Sequence, residues 1–220
     1  MAHGAVPTTI VANRSAVPVK TKARRTSEAE WFDLVAIGAS AGGLPALSEV
    51  LAGLGPSFPA IVVVQHLDPR HKSLLAGLLS RKTARPVKEA EDGERISPNT
   101  VYIGPPDQHL LVTGGKIQLA HSRLIRFSRP SIDVMFGSVA ATFGDRAIGV
   151  ILSGSNRDGS DGICAIHGAG GVTLAQEPST AEFRVMPQAA IDTGCVDHVV
   201  RLDGMGRALA KLFVEGKVRK

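Results

Sequence analysis

From Asp33 onward the apolar positions of this chain fall into short blocks with two alternating periods. Leu34-Val35-Ala36-Ile37 is a continuous apolar run that stops at Gly38, and Ala60 to Val64 is a second, rich in β-branched residues. Runs of this length bounded by turn residues predict strands buried on both faces. Between them Leu44, Leu47, Val50, Leu51 and Leu54 recur at helical spacing up to Gly55-Pro56, which predicts a helix with a sharp stop. Ser73 to Leu79 predicts another helix and Val101-Tyr102-Ile103 a strand. Leu110-Leu111-Val112 and Ile117-Gln118-Leu119 flank Gly114-Gly115, a hairpin signal. Ser131 to Phe143 predicts a helix, with Ser131 as its cap and Asp133 in the first turn, where a negative charge suits the helix dipole. Ala147 to Leu152 is the strongest strand signal. After it come a helix at Gly162 to His167, a strand at Val172 to Leu174, a helix at Pro187 to Asp192, a strand at Val196 to Val200 and a helix at Met205 to Val214. Short apolar strands alternating with amphipathic helices predict an α/β fold: a doubly wound, mostly parallel sheet with helices on both faces and one β-hairpin. Such sheets hold their sites in the turns after the carboxyl ends of strands, here the turns after 34–37, 60–64 and 147–152.

Composition narrows the picture. Aromatic residues are only 4 % of the 220 positions, so the core must rest on Val, Ile, Leu and Ala. The 24 glycines suit a fold with many tight strand-to-helix turns. The net charge of +5 is carried by the ends: residues 1–30 hold a net +3 and the last five residues another +3, leaving −1 for residues 31–215. A near-neutral body argues against nucleic acid as a partner. Residues 1–30 show no sustained period and are expected to be a flexible basic leader, with 31–215 as the folded domain and 216–220 as a basic tail. Cys164 and Cys195 lack metal-ligand spacing, and the chain has no secretory segment and no apolar run long enough to span a membrane. The expectation is a cytoplasmic, reducing location without disulfides, metal or membrane insertion.

Three turns carry the candidate chemistry. Gly38-Ala39-Ser40-Ala41-Gly42 has the G-x-S-x-G pattern, in which a tight strand-to-helix turn presents a serine hydroxyl at the top of a sheet. Taken alone, the turn is equally open to phosphate binding or to a purely structural role. His66 ends the apolar run Ile61 to Val64, a position suited to a general base and equally to a histidine satisfied at a strand end. His71 reads as solvent-facing near a helix start, and the remaining histidines are less well placed. Asp158, in the turn after Ala147 to Leu152, is either a helix cap or an acid that orients an imidazole. Together the three turns supply Ser, His and Asp from three strand ends of one sheet.

The segments Ala36 to Gly43, Val64 to His66, Lys88 to Arg95, Tyr102 to Asp107, Arg129 to Asp133, Gly149 to Gly154, Asp158-Gly159 and Met186 to Ala190 resemble, in the same order, the CheB-type protein-glutamate methylesterase domain over about residues 33–213. The resemblance implies a serine hydrolase with Ser40 as nucleophile, His66 as base and Asp158 as orienting acid. It implies an oxyanion site at the backbone N–H groups of Ala41 and Ser155 and no cofactor. The implied substrate is a methylated chemoreceptor-type protein, with glutamine deamidation as a further activity. The runner-up expectations are a silent binding module on the same fold and a hydrolase for another ester or amide. Two departures stand out. The 30 residues before the domain are too few for the receiver domain that usually precedes it, so control is expected from a separate regulatory protein. The familiar Met-Gly-x-Asp sequence is replaced by Ser155-Asn156-Arg157-Asp158, which alters the substrate-facing wall.

Overall fold

The computed structural model describes Met1 and residues 33–218 apart from 56, 69, 71 and 72. The predicted leader, apart from Met1, and His71 lie outside the described residues. A seven-stranded sheet is ordered β3-β4-β2-β1-β7-β8-β9, with every paired neighbour parallel. Its strands are β1 (Leu34–Ala39), β2 (Ala60–Gln65), β3 (Val87–Glu89), β4 (Val101–Ile103), β7 (Ala147–Ile151), β8 (Val172–Gln176) and β9 (His198–Val200). The helices are α1 (Gly43–Ala52), α2 (Leu75–Leu79), α3 (Ile132–Phe143), α4 (Ser160–Gly168), α5 (Val185–Ile191) and α6 (Leu202–Val218). The expected doubly wound α/β architecture is present. α6 runs into the segment expected to be a tail.

Every residue of β1, β2 and β7 is buried, because helices cover both faces of the sheet centre. Alternate side chains divide between two cores. Val35, Ile37 and Ala39 pack with α1 and α6, whereas Leu34 and Ala36 pack with α3 and α4. Burying a Val, Leu or Ile of this kind contributes roughly 1.5–3 kcal/mol. Gly38 falls on the α3 side, where a Cβ would collide with the side chain of Ile132. The missing side chain lets the first turn of α3 approach the carboxyl end of β1, which matters for the site.

The predicted hairpin is β5 (His109–Thr113) and β6 (Lys116–Ala120), joined by Gly114 and Gly115, both at positive φ. Two such residues form the tight turn whose twist matches an antiparallel pair. The hairpin stands apart from the main sheet and packs on α3 through Leu110, Val112 and Ile117. Two hydrogen bonds fix it there, from Val112 N to Ser138 Oγ (2.9 Å) and from Thr142 Oγ1 to Val112 O (2.7 Å).

One expectation is overturned. Cys164 on α4 and Cys195, just before β9, are joined by a disulfide. β7, β8 and β9 are neighbours in the sheet, so α4 and the chain entering β9 are brought side by side. Their Cα atoms lie 5.0 Å apart, within bridging range.

Candidate active site

The chain leaves β1 toward β2 on one side and returns later to β7 on the other, so the sheet reverses its winding at β1. In open α/β sheets such a reversal opens a crevice at the carboxyl ends of the strands. Ser40 follows β1, His66 follows β2 and Asp158 lies in the turn after β7. These are three adjacent strands of the sheet.

The three side chains form one hydrogen-bonded chain. Ser40 Oγ lies 3.1 Å from His66 Nδ1, and His66 Nε2 lies 2.8 Å from Asp158 Oδ2. A carboxylate can only accept, so the ring proton belongs on Nε2 and the Nδ1 lone pair faces the serine hydroxyl. His66 is largely enclosed, with 15 % of its side chain exposed, while the Asp158 side chain is fully buried.

The Asp158 carboxylate is held by the start of α3. Oδ2 also accepts from Ile132 N (2.7 Å), and Oδ1 accepts from Ser131 Oγ (2.9 Å) and Asp133 N (3.1 Å). Burial alone would push its pKa up. The bond from His66 and those from the Ile132 and Asp133 amides outweigh burial and hold the carboxyl below its ordinary range. The reverse contact is made by Asp133, whose Oδ1 accepts from Gly159 N (2.9 Å) and Gly162 N (2.8 Å) at the start of α4. Each helix therefore has its first amides closed by a carboxylate from the other. Burial lifts Asp133 to about 6, with the neighbouring Asp158 charge adding to the rise against the Gly162 bond. The cap expectation for Ser131 holds: its hydroxyl accepts from Val134 N (3.4 Å). Asp158 does not cap its own helix α4, which has Gly159 at the N-cap.

The Ser40 turn is set by several braces. Gly42 adopts φ 70°, and a Cβ there would meet Ser153 Oγ at 2.7 Å and Glu182 Cβ at 2.9 Å. Gln65, buried at the end of β2, donates from Nε2 to Ser40 O (2.7 Å) and His66 O (3.1 Å), tying the two turns together. Ser153 Oγ donates to Ala41 O (2.8 Å), and Ser40 N donates to Ser153 O (2.9 Å). Ala41 and Ser155 flank this arrangement on the turns after β1 and β7. Among the described residues neither of their amides has a protein acceptor.

Sequence reasoning missed four contributors. His109 is buried, accepts from Ser131 N at Nδ1 (3.1 Å) and has Nε2 3.1 Å from Arg123 O, so it supports the residue behind Asp158. Asn156 accepts from Asp158 N at Oδ1 (3.1 Å), while its Nδ2 approaches His66 Nδ1 at 3.3 Å. Gln65 and Ser153 are the other two. Gln65 ends an apolar strand next to His66, a placement that hinted at its role; the others are joined only through the fold. Among the described residues no group of three or more His, Cys, Asp or Glu is placed to hold a metal ion, and no helix is long and apolar enough to cross a membrane.

Fold and site together define a doubly wound α/β domain with a hydroxyl–imidazole–carboxylate chain at the carboxyl edge of its sheet. The chain belongs to the CheB methylesterase family, whose sequence profile matches residues 35–209. A relative from Leptospira interrogans is 38 % identical over 185 residues, 83 % of this chain and 94 % of that protein. The protein-glutamate methylesterase/protein-glutamine glutaminase 2 of Anaeromyxobacter dehalogenans is 41 % identical over 187 residues, 84 % of this chain and 55 % of that longer protein. The crystal structure of the Thermotoga maritima CheB methylesterase catalytic domain superposes with a TM-score of 0.78 at 35 % identity, covering 82 % of this chain and 98 % of that domain.

Proposed function

We propose that this protein is a serine hydrolase that removes methyl groups from glutamyl methyl esters of a chemoreceptor-type protein in the cytoplasm, and that it deamidates glutamine by the same route. The observation that supports this most directly is the Ser40–His66–Asp158 hydrogen-bonded chain. In this reading His66 Nδ1 takes the Ser40 proton as Oγ attacks the ester carbonyl. The oxyanion of the tetrahedral intermediate rests on the Ala41 and Ser155 amides, each worth roughly 10²–10³ in rate. Asp158 keeps the proton on Nε2 and stabilises the imidazolium. The C–O bond to the methoxy group then breaks, and methanol leaves with the proton from Nδ1. Water, deprotonated by the same nitrogen, cleaves the acyl-serine and releases the glutamate carboxylate and free Ser40. With glutamine, ammonia leaves in place of methanol.

The test is methanol release from methyl-labelled receptor, comparing the wild type with Ser40→Ala. The expected result is turnover by the wild type and background release by the variant, with unchanged melting. Substantial release by purified Ser40→Ala would remove Ser40 from the mechanism.

A further inference from the structure

A cleft of about 580 Å³ is lined by Arg157, Ser179, Arg184, Val185, Gln188 and Asp192 among others, and meets the turn that carries Asp158 at Arg157. Arg157 immediately precedes Asp158 in the chain. The opposite wall is anchored to the nucleophile turn through Ser153: Phe183 N donates to Ser153 Oγ (3.0 Å), and that hydroxyl donates to Ala41 O (2.8 Å). Gly154 N donates to Phe183 O and Met186 N to Gly154 O, each at 2.9 Å. The position of the Arg184 wall relative to Ser40 is therefore fixed by the backbone.

The two guanidinium groups differ from those of Arg126 and Arg129. Arg126 pairs with Asp133 and Asp161, and Arg129 pairs with Asp107. Among the described residues Arg157 and Arg184 form no side-chain hydrogen bond and no ion pair. The carboxylate that lines the cleft, Asp192, accepts from Gln188 Nε2 (2.7 Å). Phe183 and Val185 flank Arg184 and are 40 % and 49 % exposed, which offers apolar surface for the stem of a bound side chain. Arginine is the side chain best matched to a carboxylate, through two parallel N–H···O bonds.

We propose that Arg157 and Arg184 form a carboxylate-binding subsite that selects glutamyl esters flanked by acidic residues in the substrate chain. This rests on the esterase reading above. Binding of the neighbouring Asp or Glu positions the ester over Ser40 and contributes to KM, because the contact is the same before and during the reaction.

The experiment uses two synthetic peptides, each carrying one γ-methyl glutamate, one with Glu on both sides and one with Gln. Wild-type protein is expected to show a KM about tenfold lower for the acidic peptide, with similar kcat and a preference that fades at high salt. Arg157→Gln/Arg184→Gln is expected to erase the preference while keeping kcat, and the corresponding double lysine variant to retain part of it. An unchanged preference, or an equal loss on both peptides, overturns the subsite. Binding of the same two peptides to Ser40→Ala, read by fluorescence anisotropy, separates the two proposals. Arginine-dependent discrimination there without wild-type turnover upholds the subsite and refutes the hydrolase; turnover of both peptides by the wild type with no preference between them, or with a preference that survives in the double Gln variant, does the reverse.

Discussion

Replacing Asp158 by Asn removes one acceptor oxygen from a buried carboxylate that serves four donors: His66 Nε2, Ile132 N, Ser131 Oγ and Asp133 N. An amide cannot serve them all. If its NH₂ takes the place of Oδ2, Ile132 N–H loses its acceptor and His66 Nε2 must accept. The ring proton then moves to Nδ1, facing Ser40, and the base is lost. If the NH₂ takes the place of Oδ1, the Ser131 hydroxyl can rotate to accept, but Asp133 N–H is orphaned and the imidazolium loses its counter-charge. Either way one buried amide goes unsatisfied, at about 1–3 kcal/mol. The first turn of α3 also loses a partly buried anion, about 0.3–2 kcal/mol. The expected destabilisation is about 2–4 kcal/mol, a fall in melting temperature of roughly 5–15 °C for a chain of this size. The expected loss of turnover is up to about 10⁴. Thermal melts and methanol release would be measured on Asp158→Asn, and melts also on His66→Ala with and without the second change. The stability loss should persist in the His66→Ala background, because it arises at α3. Turnover within tenfold of wild type would show that Asp158 anchors a helix and nothing more. Lost turnover at an unchanged melting temperature would refute the account of α3.

Three further outcomes are expected. Gly42→Ala forces a Cβ onto a residue at φ 70° and against Ser153 Oγ and Glu182, so melting should show a loss of about 1–2 kcal/mol and turnover should fall at least about tenfold; normal turnover would show that the turn tolerates the methyl group. Asp133, lifted to about 6, is penalised when ionised in the folded state, so its contribution to stability falls as pH rises from the unfolded carboxylate value through about 6 and stays low above that. Asp133→Asn keeps an acceptor for Gly159 and Gly162 while removing the charge, so its melting temperature should rise relative to wild type between pH 4.5 and 7, and a pH-independent difference would show that Asp133 does not titrate there. Reducing the Cys164–Cys195 bridge, which spans a sequence separation of 31, should cost about 3 kcal/mol in denaturant unfolding, and thiol titration of the unreduced, unfolded chain should find no free cysteine.

The apolar runs of β1, β2 and β7 were legible because strands buried on both faces leave no polar position to blur them. The same runs pointed to the turns that carry Ser40, His66 and Asp158. β3 went unread because Val87-Lys88-Glu89 is short, polar and on an edge, where one side of the strand meets solvent. The braces around the site were hidden for a different reason. Ser131, His109 and Asp158 are joined across 22 and 27 positions of sequence, and no local period encodes such a pairing. The disulfide failed in the same way: compartment reasoning counted two cysteines, whereas their pairing depends on the adjacency of β7, β8 and β9.

The reciprocal closure of α3 and α4 also sets the order in which a growing chain can gain its chemistry. Ser40 and His66 are synthesised early and can come together on β1 and β2, yet the acid arrives more than ninety residues after His66. It is then held only once α3 has offered its first amides and α4 has received Asp133 in return. In the proposed mechanism a chain that has made only the Ser40 turn lacks the carboxylate that orients His66, so turnover requires the second half of the sheet to have docked on the first.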